Sequence, residues 1–351
     1  MKKKKISSMA ELAKIAKCSV MTVSYALRGS HEVSEETRLR IQKLAHEYGY
    51  RKNPFVSALI TNRRSKRSGG LDVIGLITKF DVPMSQWKER QHFYSDLYEG
   101  MVERAAELGF RIDEFPTYGG ENALNGRQLN RVLATRGIRG VILMPGGEYN
   151  RNFPLDDFDY SDFSVVAAAF HARQMHIHRT ATDYSGGIEL CLQEASKRGY
   201  KRIGLAMDQS LDPSLRYGFS GRFLAWQAGQ LKKNCVPLIA GRAGGLYRDS
   251  FLAWYQKHKP DCILSPSVSP LRWLEGIDVV VPRDVGCIFV PVRDHPHLSG
   301  FDARTHVVGR TTVNLLAREL FLNNTGLPEY PEVVMVSGQW QEGNTVALPV
   351  A

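Results

Sequence analysis

Cysteine is scarce in this 351-residue chain. There are five, Cys18, Cys191, Cys235, Cys262 and Cys287, and none forms a Cys-x-x-Cys pair. An odd, scattered set argues against a disulfide scaffold and reads as reduced thiols. Long apolar runs are missing too. The longest, FSVVAAAF at 163–170, is far shorter than the roughly 20 residues a membrane-spanning helix needs. The opening MKKKKISSMAELAK has a charged tip with no apolar stretch behind it, so it does not read as a secretory signal. A soluble, cytoplasmic protein without a membrane partner is expected. Catalytic patterns are also wanting. No serine elbow and no pair of catalytic carboxylates emerges, and AGRAGG at 240–245 lacks both the GxGxxG spacing and a lysine, so it reads as a turn. His176 and His178 sit two apart, as do His295 and His297, but no cysteine or carboxylate cluster joins either pair. The expectation is no catalytic site, no metal, no cofactor and no enzyme.

Negative charge is scarce at one end. Residues 1–70 carry 16 Lys/Arg against 5 Asp/Glu, leaving 30 basic and 31 acidic residues for the rest. The whole positive excess therefore belongs to the first fifth. A basic module on a near-neutral body points to an anionic polymer, nucleic acid first. Within this module Ser7 or Ser8 can cap a helix carrying Leu12, Ile15 and Ala16 at helical spacing. Ser19 can cap a second, VMTVSYALR, ended by Gly29; Ser34 can cap a third, EETRLRIQKLAHEY, ended by Gly49. Three short helices with tight connections suggest a helix-turn-helix.

The second helix has apolar residues on two sides. Val23, Ala26 and Leu27 fall at i, i+3 and i+4 and make a core face. Val20, Met21, Ser24, Tyr25 and Arg28 make the other. Valine, methionine and tyrosine facing water alone would be poor use of a surface. They suit the DNA major groove, where thymine offers a methyl group, with the helix N-terminus toward bases and phosphates. Next, Pro54 opens FVSALIT, a segment too short to be a stable isolated helix, followed by the basic, glycine-ended NRRSKRSGG. It is expected to order on a partner, where an apolar side chain can wedge between minor-groove base steps.

The run ELAKIAKCSVMTVSYALRGSHEVSEETRLRIQKLAHEYGYRKNP closely resembles the headpiece of the LacI/GalR (lac repressor/purine repressor) family, over nearly all of residues 6–62. The resemblance implies a recognition helix at Val20–Arg28. It implies that Val20, Met21 and Tyr25 read bases. Ser8, Ser19, Thr22, Ser24, Ser34, Thr37, Tyr50 and Asn53 match phosphate-holding positions, and Leu59 matches the leucine that kinks the operator's centre. Many relatives carry a guanine-contacting arginine where Tyr25 stands. A half-site read partly through thymine methyls, repeated in inverted orientation around a kinkable centre, is expected.

The remaining chain alternates strand-like with helix-like segments: DVIGLIT (72–78), a helix at 94–109, RIDEFPT, a helix near 123–136, GVILMP (140–145). RIGLAM (202–207), PLIAG (237–241), CILSP (262–266) and VGCIFVP (285–291) are further strands, with helices near 185–198, 215–232 and 308–323. Such order predicts about ten strands in two helix-covered parallel sheets. This part resembles the periplasmic-binding-protein-like effector domain of the same family, more loosely. The resemblance implies an all-α helix-turn-helix headpiece (1–52), a hinge helix and linker (53–71) and an α/β effector domain (72–351) of two doubly wound lobes joined by three crossovers. Lobe 1 is placed at about 72–171 and 298–326, lobe 2 at about 172–297 and 327–351. A small molecule between the lobes, a sugar or a derivative, and a homodimer on an inverted-repeat DNA operator follow as implied partners. The usual sugar-binding residues are altered. Asp183 keeps the family's aspartate but Tyr184 replaces its asparagine; Arg216 stands near the effector arginine at a different spacing; Ser265-Pro266 and FVPVRD (289–294, ending in Arg293 and Asp294) replace polar pairs. Sugar hydroxyls need such paired donors and acceptors. Phe93, Tyr94 and Trp273 are then candidate lining residues, with core packing as their other reading. The leading reading is a DNA-binding regulator, a repressor, whose body senses a small molecule or another signal. The alternatives are a regulator that has lost its ligand, and a solute-binding module or sugar-handling enzyme with a basic appendage.

Overall fold

The computed structural model describes residues 9–27, 33–48, 72–80, 83, 84, 86, 92–117, 123–144, 157–168, 176–208, 211–241, 245–292 and 295–348. The chain divides into two compact units, Met1–Gly70 and Leu71–Ala351.

Among the described residues of the first unit three helices form, α1 (Met9–Ala16), α2 (Val20–Leu27) and α3 (Glu35–Glu47). Leu12, Ala13 and Ala16 from α1, Val23 and Ala26 from α2, and Ile41 and Ala45 from α3 make its core, with Leu27 packed against it. The i, i+3, i+4 face of α2 is therefore the buried one. Two side chains of α3 tie off helix ends, which otherwise leave carbonyls unbonded. Arg40 donates to the carbonyl of Ala16 (3.0 Å) and Gln42 to that of Ala26 (3.3 Å). The expected stops Gly29 and Gly49 and the first caps Ser7 and Ser8 lie outside the described residues.

The α1–α2 turn runs through Lys17 at φ 51°. Cys18 N–H donates to Ala13 and Lys17 N–H to Lys14, the paired bonds of a Schellman stop. Glycine is the usual residue there because a Cβ in the left-handed region costs about 1 kcal/mol. Lys17→Gly is expected to stabilise this unit by up to about 1 kcal/mol, less the extra freedom glycine gives the unfolded chain. Slower amide exchange along α1 and α2 in the full-length protein would show it; faster exchange would contradict it.

The second unit holds two six-stranded sheets. Sheet 1 contains β1 (Asp72–Thr78), β2 (Phe110–Pro116), β3 (Gly140–Met144), β4 (Ser164–Ala168), β5 (His178–Thr182) and β11 (Val333–Val336), all parallel, in the order β11-β5-β4-β3-β1-β2. Sheet 2 contains β6 (Ile203–Asp208), β7 (Ile239–Gly241), β8 (Cys262–Ser265), β9 (Gly286–Val292), β10 (Gly300–Asp302) and β12 (Gln339–Gln341), in the order β12-β10-β9-β8-β6-β7. Only β12 runs antiparallel to its neighbour. Central strands read as continuous apolar runs because helices cover both faces. On one face of sheet 1, Leu97 and Met101 of α4 (His92–Glu107) and Val313 and Leu316 of α11 (Thr305–Leu322) join Ile74, Leu76 and Ile142. On the other, Leu129 and Leu133 of α5 (Gly126–Thr135) join Ile77, Val141 and Val165. Sheet 2 is likewise flanked by α6 (Tyr184–Lys197) and α8 (Ser220–Ala228) on one face, and by α9 (Arg248–His258) and α10 (Ser269–Glu275) on the other.

Helices α4 and α11 meet backbone to backbone. A Cβ at Gly100 would lie 2.1 Å from the carbonyl oxygen of His306, and one at Gly309 would lie 2.1 Å from that of Leu97. Each helix places a glycine beneath a carbonyl of the other.

The chain passes between the sheets three times: after β5, between β10 and α11, and between β11 and β12. The lobe boundaries differ from those expected. β5 and β11, assigned from sequence to lobe 2, belong to sheet 1, and β10, assigned to lobe 1, belongs to sheet 2. HRTAT is polar, and VVMV and GFD are only four and three residues long, so nothing in their composition says which sheet they join. The single helix expected at 215–232 is broken as well. A four-residue helix α7 (Leu211–Ser214) is followed by Arg216 and Tyr217 at φ 57° and 58°, and α8 starts only at Ser220. Left-handed residues cannot continue an α-helix.

Candidate nucleic-acid interface and effector site

Ser19 caps α2 as expected: its Oγ accepts from the Thr22 amide at 3.0 Å and lies 2.8 Å from the Thr22 hydroxyl. Ser34 repeats the device on α3, accepting from the Thr37 amide at 3.4 Å and donating to its hydroxyl at 2.9 Å. Both helix N-termini thus present amides and hydroxyls, the donors an anion uses. At the start of α2, Val20 is 46% exposed and Met21 57%. Thr22 and Tyr25 are half-buried. Ser8, Arg28, Tyr50, Asn53 and Leu59, and the side chain of Ser24, lie outside the described residues.

In the second unit Asp183 stands at the first crossing, directly after β5. Its Oδ1 accepts from the Gly186 amide at 2.8 Å and caps α6. Arg216 is exposed in the turn between α7 and α8. That turn is anchored by the buried Asp212, whose Oδ1 accepts from Phe219 (3.2 Å) and Ser220 (3.4 Å) amides. Tyr94 is half-buried on α4, edge-on to Phe80 at 5.0 Å between ring centroids, and packs against the apolar core. Trp273, half-buried on α10, packs on Phe251 at 5.4 Å against the core between α9 and α10, the packing an indole ordinarily seeks. The side chain of Phe93, and all of Arg293, lie outside the described residues. His178, one of the paired histidines, accepts at Nδ1 from the Glu332 amide at 3.1 Å, and its Nε2 lies 3.8 Å from Glu319. Sequence reading passed over one residue here. Arg179 on β5 is only 5% exposed, and its Nε has no hydrogen-bond partner among the described residues. Nothing in HRTAT distinguishes a buried arginine from a surface one.

The model for the lacI family of bacterial regulatory proteins matches residues 8–53, spanning the three helices. Over those residues the chain carries a lacI-family headpiece. GalR of Streptococcus thermophilus, a helix-turn-helix-type transcriptional regulator, is 22% identical over 90% of this chain and 93% of its own length. The maltose regulon regulatory protein MalI of Escherichia coli K12 is 30% identical over 57% of this chain and 53% of its own. The fold is that of LacI-family structures. A lac repressor dimer bound to operator and the anti-inducer ONPF superposes with a TM-score of 0.55 at 15% identity, over 98% of this chain and 100% of that one. A complex of the transcriptional regulator CelR with cellobiose gives 0.53 at 19%, over 96% and 99%. This chain is accordingly a DNA-binding transcriptional regulator, with a lacI-family headpiece and a periplasmic-binding-protein-like domain. Among the described residues no helix is long and apolar enough to cross a membrane.

Proposed function

We propose that this regulator binds an inverted-repeat operator as a homodimer, acts as a repressor, and is controlled by a small molecule held between the lobes of its second unit. The observation that carries the reading is the exposed pair Val20 and Met21 at the capped start of α2, on the chain's most basic module. Apolar groups there gain by contacting thymine methyls. Ser19, Thr22, Ser34 and Thr37 hold the flanking phosphates, joined by Ser8, Ser24, Tyr50 and Asn53; Tyr25 and Arg28 complete the base-facing row and Leu59 wedges the operator's centre. Two copies are needed because a two-fold dimer matches two half-sites. Asp183 at the first crossing and Arg216 in the α7–α8 turn contribute to the effector site, with Phe93, Tyr94 and Arg293.

Selection from random DNA followed by titration tests it. The expected product is a palindrome with thymines in each half-site, bound with steep salt dependence, a loss of roughly 10³-fold or more between 50 and 200 mM salt if six or more phosphates are neutralised. Recovery of a non-palindromic or purely guanine-directed site, or of no preferred sequence, would contradict it.

A further inference from the structure

We propose that Arg179 and Arg216 together form a site for the oxyanion group of a small molecule, a phosphate or a carboxylate. The site is placed by strand alternation. On β5, Thr180 faces α11, its hydroxyl 2.6 Å from that of Thr312, and Thr182 lies on the same side, donating to the Ala303 carbonyl at 3.4 Å. Arg179 and Ala181 therefore take the opposite face. Ala181 belongs to the apolar cluster that includes Leu215, the residue before Arg216, and Phe219, three residues after it. A Cβ added at Gly218 of the same turn would lie 3.7 Å from Tyr184 Cβ and from Ser185 N, just past the end of β5. A turn of the second lobe thus lies over the strand of the first that carries Arg179.

The charges around this junction do not balance. Among the described residues neither Arg179 nor Arg216 has a carboxylate partner, and the nearby acids are already engaged. Asp183 caps α6, Asp212 holds the turn, and Glu332 accepts from Arg318. Burial, then the charge of Arg216, lowers the pKa of Arg179. A buried guanidinium without a counter-charge is costly, and a second one nearby adds repulsion. One oxyanion removes both costs, because the planar arginine fork matches carboxylate and phosphate oxygens with two parallel hydrogen bonds. The alternative pairing with a neutral sugar would leave the charge uncompensated.

As the class of effector, this inference rests on ligand control of the regulator; as a binding site, it stands apart from it. The test titrates the full-length protein with inorganic phosphate and with acetate, reading the melting temperature by calorimetry, against sodium chloride at equal ionic strength and against glucose. At least one oxyanion should raise the melting temperature where chloride and glucose do not, and which one responds assigns phosphate or carboxylate. In Arg216→Ser, an exposed position where folding is not at risk, and in Arg179→Met, apparent affinity should fall at least tenfold. Arg179→Met should also melt higher than the parent without anion, since an uncompensated buried charge is gone. No response beyond chloride, or an undiminished response in both variants, would overturn the site. Anion binding that leaves operator affinity unmoved would overturn effector control and leave the site standing.

Discussion

Met21→Glu is expected to weaken operator binding by at least 100-fold without unfolding the protein. Met21 is 57% exposed at the start of α2 and takes no part in the core of Leu12, Val23, Ala26 and Ile41. Surface changes of this kind alter stability by about 0.5 kcal/mol or less. Against DNA the carboxylate would lose the apolar contact and set a negative charge among phosphates. A good base contact is worth about 1–3 kcal/mol, and repulsion adds to its loss. Met21→Leu keeps an apolar side chain and should bind within a few-fold of the parent. Fluorescence anisotropy on the selected palindrome, with melting curves of both variants, checks this. Unchanged binding by Met21→Glu would show that α2 does not meet base edges. Val23→Asp is the contrast: it too should abolish binding, but by burying a charge in the headpiece core, and its melting curve should reveal that.

The second large effect lies where α4 crosses α11. Gly309→Val places a Cβ 2.1 Å from the Leu97 carbonyl oxygen and near Leu97 C and Met101 N, all backbone. No side-chain rotation relieves a clash with main chain, so the helices must separate. Overpacking ordinarily costs about 1–3 kcal/mol, and a backbone collision belongs at or above the upper end. For a unit of this size about 3 kcal/mol corresponds to a melting temperature lower by roughly 6–12 °C. Gly100→Val, against the His306 carbonyl on the same crossing, should behave alike, and the double variant should lose less than the sum, since a crossing already opened has less to lose. Melting temperatures unchanged by either substitution would mean that the two helices do not touch here.

Much of this architecture was legible in the residues. DVIGLIT forms a strand over its full expected length, and the helix caps Ser19 and Ser34 sit where the pattern puts them. Periodicity and capping are local, and where a strand is buried on both faces its composition declares it. The failures share a cause as well. β5, β10 and β11 have no composition of their own to declare a sheet; their membership is decided by partners far away in sequence. The break before α8 depends on two non-glycine residues held left-handed by Asp212, a constraint invisible to propensity. Trp273 was one of several aromatics equally able to line a cleft or fill a core, and only packing distinguishes these. Arg179 was missed because burial of a charged residue contradicts the average behaviour of its type.

The interleaving of the two lobes bears on how the protein is made. α11 seals one face of sheet 1 and β11 completes that sheet, yet both follow all of β6 to β10 in the chain. On the ribosome, the first lobe's opening strands emerge early and must wait, apolar face uncovered, while the whole middle of the second lobe is synthesised. The described core residues of the headpiece fall within 34 positions of one another, Leu12 to Ala45, and are under no such delay. The nascent regulator thus acquires its headpiece long before the body is complete, and the waiting strands are the natural place for a chaperone to act.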